Sequence, residues 1–128
     1  MRAKHRVGID LVEVERIRGL ASRHPGFLDR VFTPRERDYC DRHADPACHY
    51  AARFAAKEAA FKALRGEGRA LRFLDYEVEM EGGRPRLLLH GKAREEARLL
   101  GVSDLDLSLS HERGCAVAVV LVEWEGAG

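Results

Sequence analysis

The sequence holds only 3 cysteines in 128 residues, an odd number and too few for a disulfide framework. Prolines number 4, and no Pro/Gly/Ser-rich stretch or internal repeat divides the chain. One domain over residues 1–128 is expected. Long hydrophobic runs are missing too. The longest, Cys115 to Val122, falls far short of the ~20 residues of a membrane-spanning helix. Asp10, Glu13 and Glu15 interrupt any apolar segment near the N-terminus, which excludes a secretory signal there. Neither sign of charge dominates: the net charge is +1, so the chain is not built to coat nucleic acid. A cytoplasmic protein with no membrane and no nucleic-acid partner is the expectation.

What is present is a soluble globular composition, 45% hydrophobic and 34% charged. A chain of this length buries about two thirds of its unfolded surface and needs no staples to hold a core. Val7, Ile9 and Leu11 alternate with polar neighbours and predict a strand over Arg6 to Leu11. From Val12 the period changes to that of a helix, so Asp10 falls at a strand–helix junction. Thr33-Pro34-Arg35-Glu36 is a capping box with proline in the first turn. Asp45-Pro46 starts another helix. Its body, Ala47 to Leu64, has eight alanines and no glycine, and Gly66 and Gly68 stop it.

Beyond the glycines the pattern turns to β. Tyr76, Val78 and Met80 alternate with acids, Glu81-Gly82-Gly83-Arg84 turns the chain, and Arg86 to His90 pairs back. Lys92 to Leu100 reads as a helix closed by Gly101. Leu105, Leu107 and Leu109 mark a strand, and Cys115 to Glu123 a last apolar one. The order β-α-α-α-β-β-α-β-β predicts an α+β fold, helices packed on one face of a largely antiparallel sheet.

Three places could carry chemistry. Glu58 and Lys62 share one helix face, and flanking alanines imply burial, where charge needs a reason. Asp10 is an isolated carboxylate at a strand end. Ser110-His111 closes another strand. Two carboxylates from distant segments with a lysine suit Mg²⁺, which takes one or two protein carboxylates together with substrate phosphate oxygens. The lysine would offset charge on a phosphoryl group in transit. An exposed Glu–Lys pair that merely supports its helix is the bland alternative. Cys40, His43, Cys48 and His49 cluster within ten residues, but match no common zinc spacing. His5, His24, His43 and His90 read as surface or loop histidines. Arg16, Arg18 and Arg23 make the first helix locally basic, either a solvated face or a docking face for an acidic partner.

Three segments resemble the motifs of the holo-acyl-carrier-protein synthases, the small 4′-phosphopantetheinyl transferases. They are Gly8-Ile9-Asp10-Leu11-Val12-Glu13-Val14-Glu15-Arg16-Ile17, Arg53-Phe54-Ala55-Ala56-Lys57-Glu58-Ala59-Ala60-Phe61-Lys62-Ala63, and Ser108-Leu109-Ser110-His111-Glu112. Asp75-Tyr76-Glu77-Val78 and the Gly83-Arg84-Pro85 turn fit the same pattern. The resemblance implies transfer of the 4′-phosphopantetheine arm of coenzyme A to a serine of apo acyl carrier protein, with release of adenosine 3′,5′-bisphosphate, in support of fatty acid biosynthesis. It also implies a homotrimer with active sites at subunit interfaces. By motif position, Asp10 and Glu58 are Mg²⁺ ligands and Lys62 contacts the pyrophosphate. Arg53 and His111 belong to the adenosine and 3′-phosphate end of the coenzyme, and Pro85 to the pantetheine channel. Gly66 and Ser110 also fall on the coenzyme side. Arg16 and Arg23 lie on the docking surface for the carrier. Either Glu58 or a metal-ordered water near Asp10 would take the serine proton.

One departure stands out: Leu64-Arg65-Gly66-Glu67-Gly68 has Arg65 where the family places a first glycine. Two other readings compete. A Mg²⁺-dependent nuclease would need its acid and lysine two apart on a strand, whereas Glu58 and Lys62 are four apart on a helix. A non-catalytic α+β interaction module would leave the pair purely structural.

Overall fold

An alanine-rich helix is buried along most of its length, and a three-stranded sheet lies against it. The computed structural model describes residues 3–64 and 70–125. Its strands are β1 (Ala3–Glu13), β2 (Tyr76–Glu81), β3 (Arg84–Leu89), β4 (Val102–Glu112) and β5 (Cys115–Glu125). Its helices are α1 (Val14–Arg23), α2 (Phe27–Val31), α3 (Pro34–Asp41), α4 (Pro46–Ala63) and α5 (Gly91–Leu100), with a 3-10 turn at Phe73–Asp75. The fold is α+β, as expected, and every strand pairing is antiparallel. The strands divide between two sheets: β1-β5-β4, and the hairpin β2-β3. The short α2 is an addition to the expected order.

The helix α4 is central because its side chains are small. Ala51, Ala52, Ala55, Ala56, Ala59, Ala60 and Ala63 are all buried, against β1, β5 and the other helices. The facing strand β5 matches them with Ala116, Ala118, Val120 and Val122, also buried. Closest approach comes at Gly8 of β1. A Cβ there would lie 2.0 Å from the Ala59 carbonyl oxygen, so only glycine fits. The even positions Gly8, Asp10 and Val12 therefore face α4. The alternating apolar set that predicts the strand, Val7, Ile9 and Leu11, points the other way and is exposed.

Capping chemistry sets α3. The Thr33 side chain accepts from the Glu36 backbone N–H, and the Glu36 carboxylate accepts from the Thr33 N–H. Asp45 does not cap α4 through its side chain. Its carboxylate is held instead by the Arg18 guanidinium, at 3.0 and 3.2 Å. None of the described helices is long and apolar enough to cross a membrane.

Candidate active site

Asp10, Glu58 and Lys62 are brought together where β1 crosses the C-terminal half of α4. Gly8 makes this possible, since its lack of a side chain lets the strand sit on the helix two residues before Asp10. The Lys62 ammonium donates to Asp10 Oδ1 at 3.0 Å and to the Ile9 carbonyl at 3.2 Å. The Asp10 side chain is largely covered, whereas Lys62 remains half exposed. Glu58, one helical turn before Lys62, is half-buried. Burial pushes its carboxyl above the usual range, and the Asp10 charge pushes it further. Arg16 and Lys62 pull it back. Two carboxylates thus press on one another in a partly desolvated pocket, a donor set of hard oxygens that suits a small divalent cation.

The burial expected of Glu58 and Lys62 belongs to their neighbour Lys57. Its side chain is fully buried, with the ammonium donating to Glu36 Oε1 at 2.8 Å and to the carbonyls of Phe73 and Tyr76. Glu36 Oε2 in turn accepts from the Val78 N–H. This network ties α3, α4 and the start of β2 together through the residue next to Glu58.

Arg53 and His111 both lie against His49, at the N-terminal half of α4. Arg53 is 3% exposed, with Nη1 donating to the His49 carbonyl and the guanidinium 4.2 Å over the Tyr39 ring. The His111 ring lies 5.3 Å from that of His49. His43 is no isolated surface residue, since its ring stacks on His49 at 3.7 Å. Neither His43 nor His49 was legible as part of this group, except as half of the Cys/His cluster near α4. Their third partner, His111, arrives from a strand far along the chain.

The remaining expected residues are dispersed. Ser110 alternates with His111 on β4, so its side chain stands on the opposite, outer face of the sheet. Pro85 sits opposite Met80 near the tip of the β2-β3 hairpin, in the other sheet. Gly66 lies outside the described residues. On α1, Arg18 is occupied by Glu15 and Asp45. Arg16 lies 5.6 Å from the Phe54 ring centroid, on the side of Glu58. Arg23 is exposed at the helix end. A cleft of about 400 Å³ opens nearby, lined by Phe61, Arg72, Asp75, Tyr76 and Lys92 among others. Its lining mixes the carboxylates Asp75 and Glu96 with the cations Arg72 and Lys92.

This fold, with a strand aspartate facing a helical Glu-x-x-x-Lys, defines a transferase class. Residues 6–119 match the 4′-phosphopantetheinyl transferase superfamily, and the chain belongs to it. Within that class it is similar to the holo-[acyl-carrier-protein] synthase of Anaeromyxobacter dehalogenans (strain 2CP-1), 51% identical over 124 residues, 94% of this chain and 96% of the relative. The same-named protein of Moorella thermoacetica is 51% identical over 118 residues, 91% of each chain. Among solved structures, the ACPS–CoA complex of Chronobacterium ammoniagenes superposes with a TM-score of 0.85 at 30% identity, covering 96% of this chain and 99% of that one. The Helicobacter pylori holo-[acyl-carrier-protein] synthase in complex with coenzyme A gives 0.79 at 35% identity, covering 91% and 98%.

Proposed function

We propose that this chain transfers the 4′-phosphopantetheine arm of coenzyme A to a serine hydroxyl of apo acyl carrier protein, releasing adenosine 3′,5′-bisphosphate. The setting is the cytoplasm and the supply of holo carrier for fatty acid synthesis. The observation that carries the reading is the meeting of Asp10, Glu58 and Lys62, with the Asp10 charge and burial both acting against ionised Glu58.

Asp10 and Glu58 fit Mg²⁺ in donor chemistry, and they would hold it. When bound, the ion supplies charge neutralisation and polarisation at the phosphorus under attack. Lys62 already shares the Asp10 carboxylate and can swing to the diphosphate, where it offsets charge on the transferring and leaving phosphates. The ionised Glu58 carboxylate, made more basic by burial and the Asp10 charge, would accept the serine proton, or a water held near Asp10 takes it. Arg53 and His111 bind the 3′-phosphate end of the coenzyme. Among the described residues Arg16 and Arg23 lack the close ion pairs that occupy Arg18, and Arg16 has only the longer-range field of Glu58, which supports them as the docking cations for an acidic carrier.

The reading includes a homotrimer with interfacial sites. Val7, Ile9, Leu11 and Leu121 lie exposed on the outer face of β1 and β5, and a soluble monomer rarely leaves such a patch uncovered. Pro85 and Ser110, both away from the Asp10 pocket of their own subunit, would then act across the interface. The test is intact-mass analysis of apo carrier protein incubated with this chain, Mg²⁺ and coenzyme A. Gain of one phosphopantetheine is expected, and its loss with Asp10→Ala and with Glu58→Ala while both variants keep the parent circular dichroism. No mass gain with the parent, or near-normal turnover in either variant at saturating Mg²⁺, would overturn the reading.

A further inference from the structure

Three histidines from three parts of the chain converge on the N-terminal half of α4. The His43 and His49 rings stack at 3.7 Å with 25° between their planes. His111 meets His49 edge-on at 5.3 Å. Tyr39 closes the side, 4.7 Å from His43 and 5.9 Å from His49. Beneath them lies Arg53, whose Nε is buried and has no hydrogen-bond partner among the described residues. His43 Nδ1 lies 2.9 Å from the Tyr39 carbonyl. A carbonyl only accepts, so Nδ1 carries a hydrogen, and Nε2 is the atom whose protonation changes the charge of this ring.

The stack is not a metal centre. Rings stacked face to face cannot aim their nitrogen lone pairs at one point, and no metal-competent group of three ligands occurs among the described residues. It is an accumulation of actual and potential positive charge. The groups facing His49 are His43 from the α3–α4 connection, Arg53 from α4, His111 from β4 and Asp45 at the start of α4. Only Asp45 favours a charged imidazole, and its carboxylate is already engaged by Arg18. Burial first, then His43, Arg53 and His111, hold the His49 imidazole down to about 4. With nothing bound, His49 at the centre of the stack therefore stays neutral at neutral pH. A dianion placed against it would reverse that balance.

We propose that the His43–His49–His111 stack, backed by Arg53, is a proton-linked subsite for a phosphate monoester, so that binding the terminal phosphate of the donor draws protons onto the histidines. This rests on the transferase reading above, which gives Arg53 and His111 to the 3′-phosphate. It adds His43 and His49, and it adds the coupling. By linkage, a ligand that prefers the protonated stack binds more weakly as pH rises, and by the same factor holds the protons more firmly when bound. Adenosine 3′,5′-bisphosphate carries the same monoester, so product release is eased by the same rise in pH.

The experiment is isothermal titration of the full chain with coenzyme A and with 3′-dephospho-coenzyme A. Each is run in two buffers of different ionisation enthalpy, from pH 7 to 8.5, where a phosphate monoester with a second pKa of about 6 is already a dianion. Coenzyme A is expected to bind with net proton uptake and to lose about fivefold or more in affinity across that range, since one fully coupled proton gives up to about tenfold per pH unit. The dephospho form is expected to show neither. His49→Phe keeps a ring in the stack and removes the titration, so proton uptake should fall by about half or more. His43→Gln, on the other half-buried ring of the stacked pair, serves as the second variant and should reduce it as well. Uptake equal for the two ligands, absent in the parent, or unchanged in both variants would overturn the proposal while leaving phosphopantetheine transfer intact. Failure of both ligands to bind, with no mass gain on the carrier, would overturn the transferase reading itself.

Discussion

Lys57 and Glu58 are adjacent in sequence and opposite in circumstance. Lys57 is sealed inside, and burial pulls its ammonium down while Glu36 holds it up. Replacing it by methionine leaves the Glu36 carboxylate buried without its counter-ion, which typically costs about 3–5 kcal/mol. Urea denaturation should therefore show Lys57→Met far less stable than the parent, with much of the loss recovered in Lys57→Met/Glu36→Gln. Equal midpoints for parent and single variant would refute this account of the pair. Glu58 carries the reverse effect. Its carboxyl is raised above 4.5 by burial and Asp10, so the folded chain binds this proton more tightly than the unfolded chain does. That contribution favours folding below pH 4.5 and is lost as pH rises through the folded value. Glu58→Gln, measured without added divalent metal, should accordingly raise the melting temperature at pH 7 and give no gain near pH 4. A gain that is flat with pH would mean Glu58 is not electrostatically strained.

At the scale of elements, the contact between β1 and α4 decides both packing and chemistry. Gly8→Ala puts a methyl group 2.0 Å from the Ala59 carbonyl oxygen, so the strand must lift away from the helix. Overpacking of this kind costs about 1–3 kcal/mol. The same lift carries Asp10 away from Lys62, so turnover should fall more than the melting temperature alone explains. Parent-like turnover in Gly8→Ala would show that the site tolerates a shift of β1. Much of this was legible beforehand. The Thr33–Glu36 capping box, the alanine helix and the Gly82-Gly83 turn each declare themselves through local chemistry, and the structure repeats them within a few residues. The five-residue α2 did not, because it starts at Gly26 in a left-handed conformation and is too short to establish a period. Asp10, Glu58 and Lys62 could be singled out because their motifs are local. The histidine stack could not, since it depends on where β4 ends. Nor could the orientation of β1. Alternation identifies a strand, but which face it buries is settled by the partner, and here the partner demanded the glycine side.

At the scale of the whole molecule, that orientation leaves apolar surface that no other described residue covers. Across the outer sheet face, Val7 pairs with Leu121, Ile9 with Val119 and Leu11 with Val117. The neighbouring β4 positions on this face, Asp106, Ser108 and Ser110, are polar, so the apolar strip is bounded on one side. Val7, Ile9 and Leu11 are each about 60% exposed or more, which is uncommon for three consecutive inward-quality side chains on one strand. The proposed association of like chains through this strip would account for apolar residues at positions that lysine or threonine could otherwise fill. Ile9→Lys tests it at the centre of the strip. The side chain points away from α4, so the Asp10–Lys62 contact and the monomer core should survive, as circular dichroism would verify. Sedimentation equilibrium of the parent should give three times 14.4 kDa, and of Ile9→Lys a species of one chain. Transfer activity should drop with assembly, and mixing the variant with an excess of Asp10→Ala chains should not restore it. A parent that sediments as a monomer at working concentration and still turns over would separate catalysis from assembly, and would leave the exposed strip to some other partner.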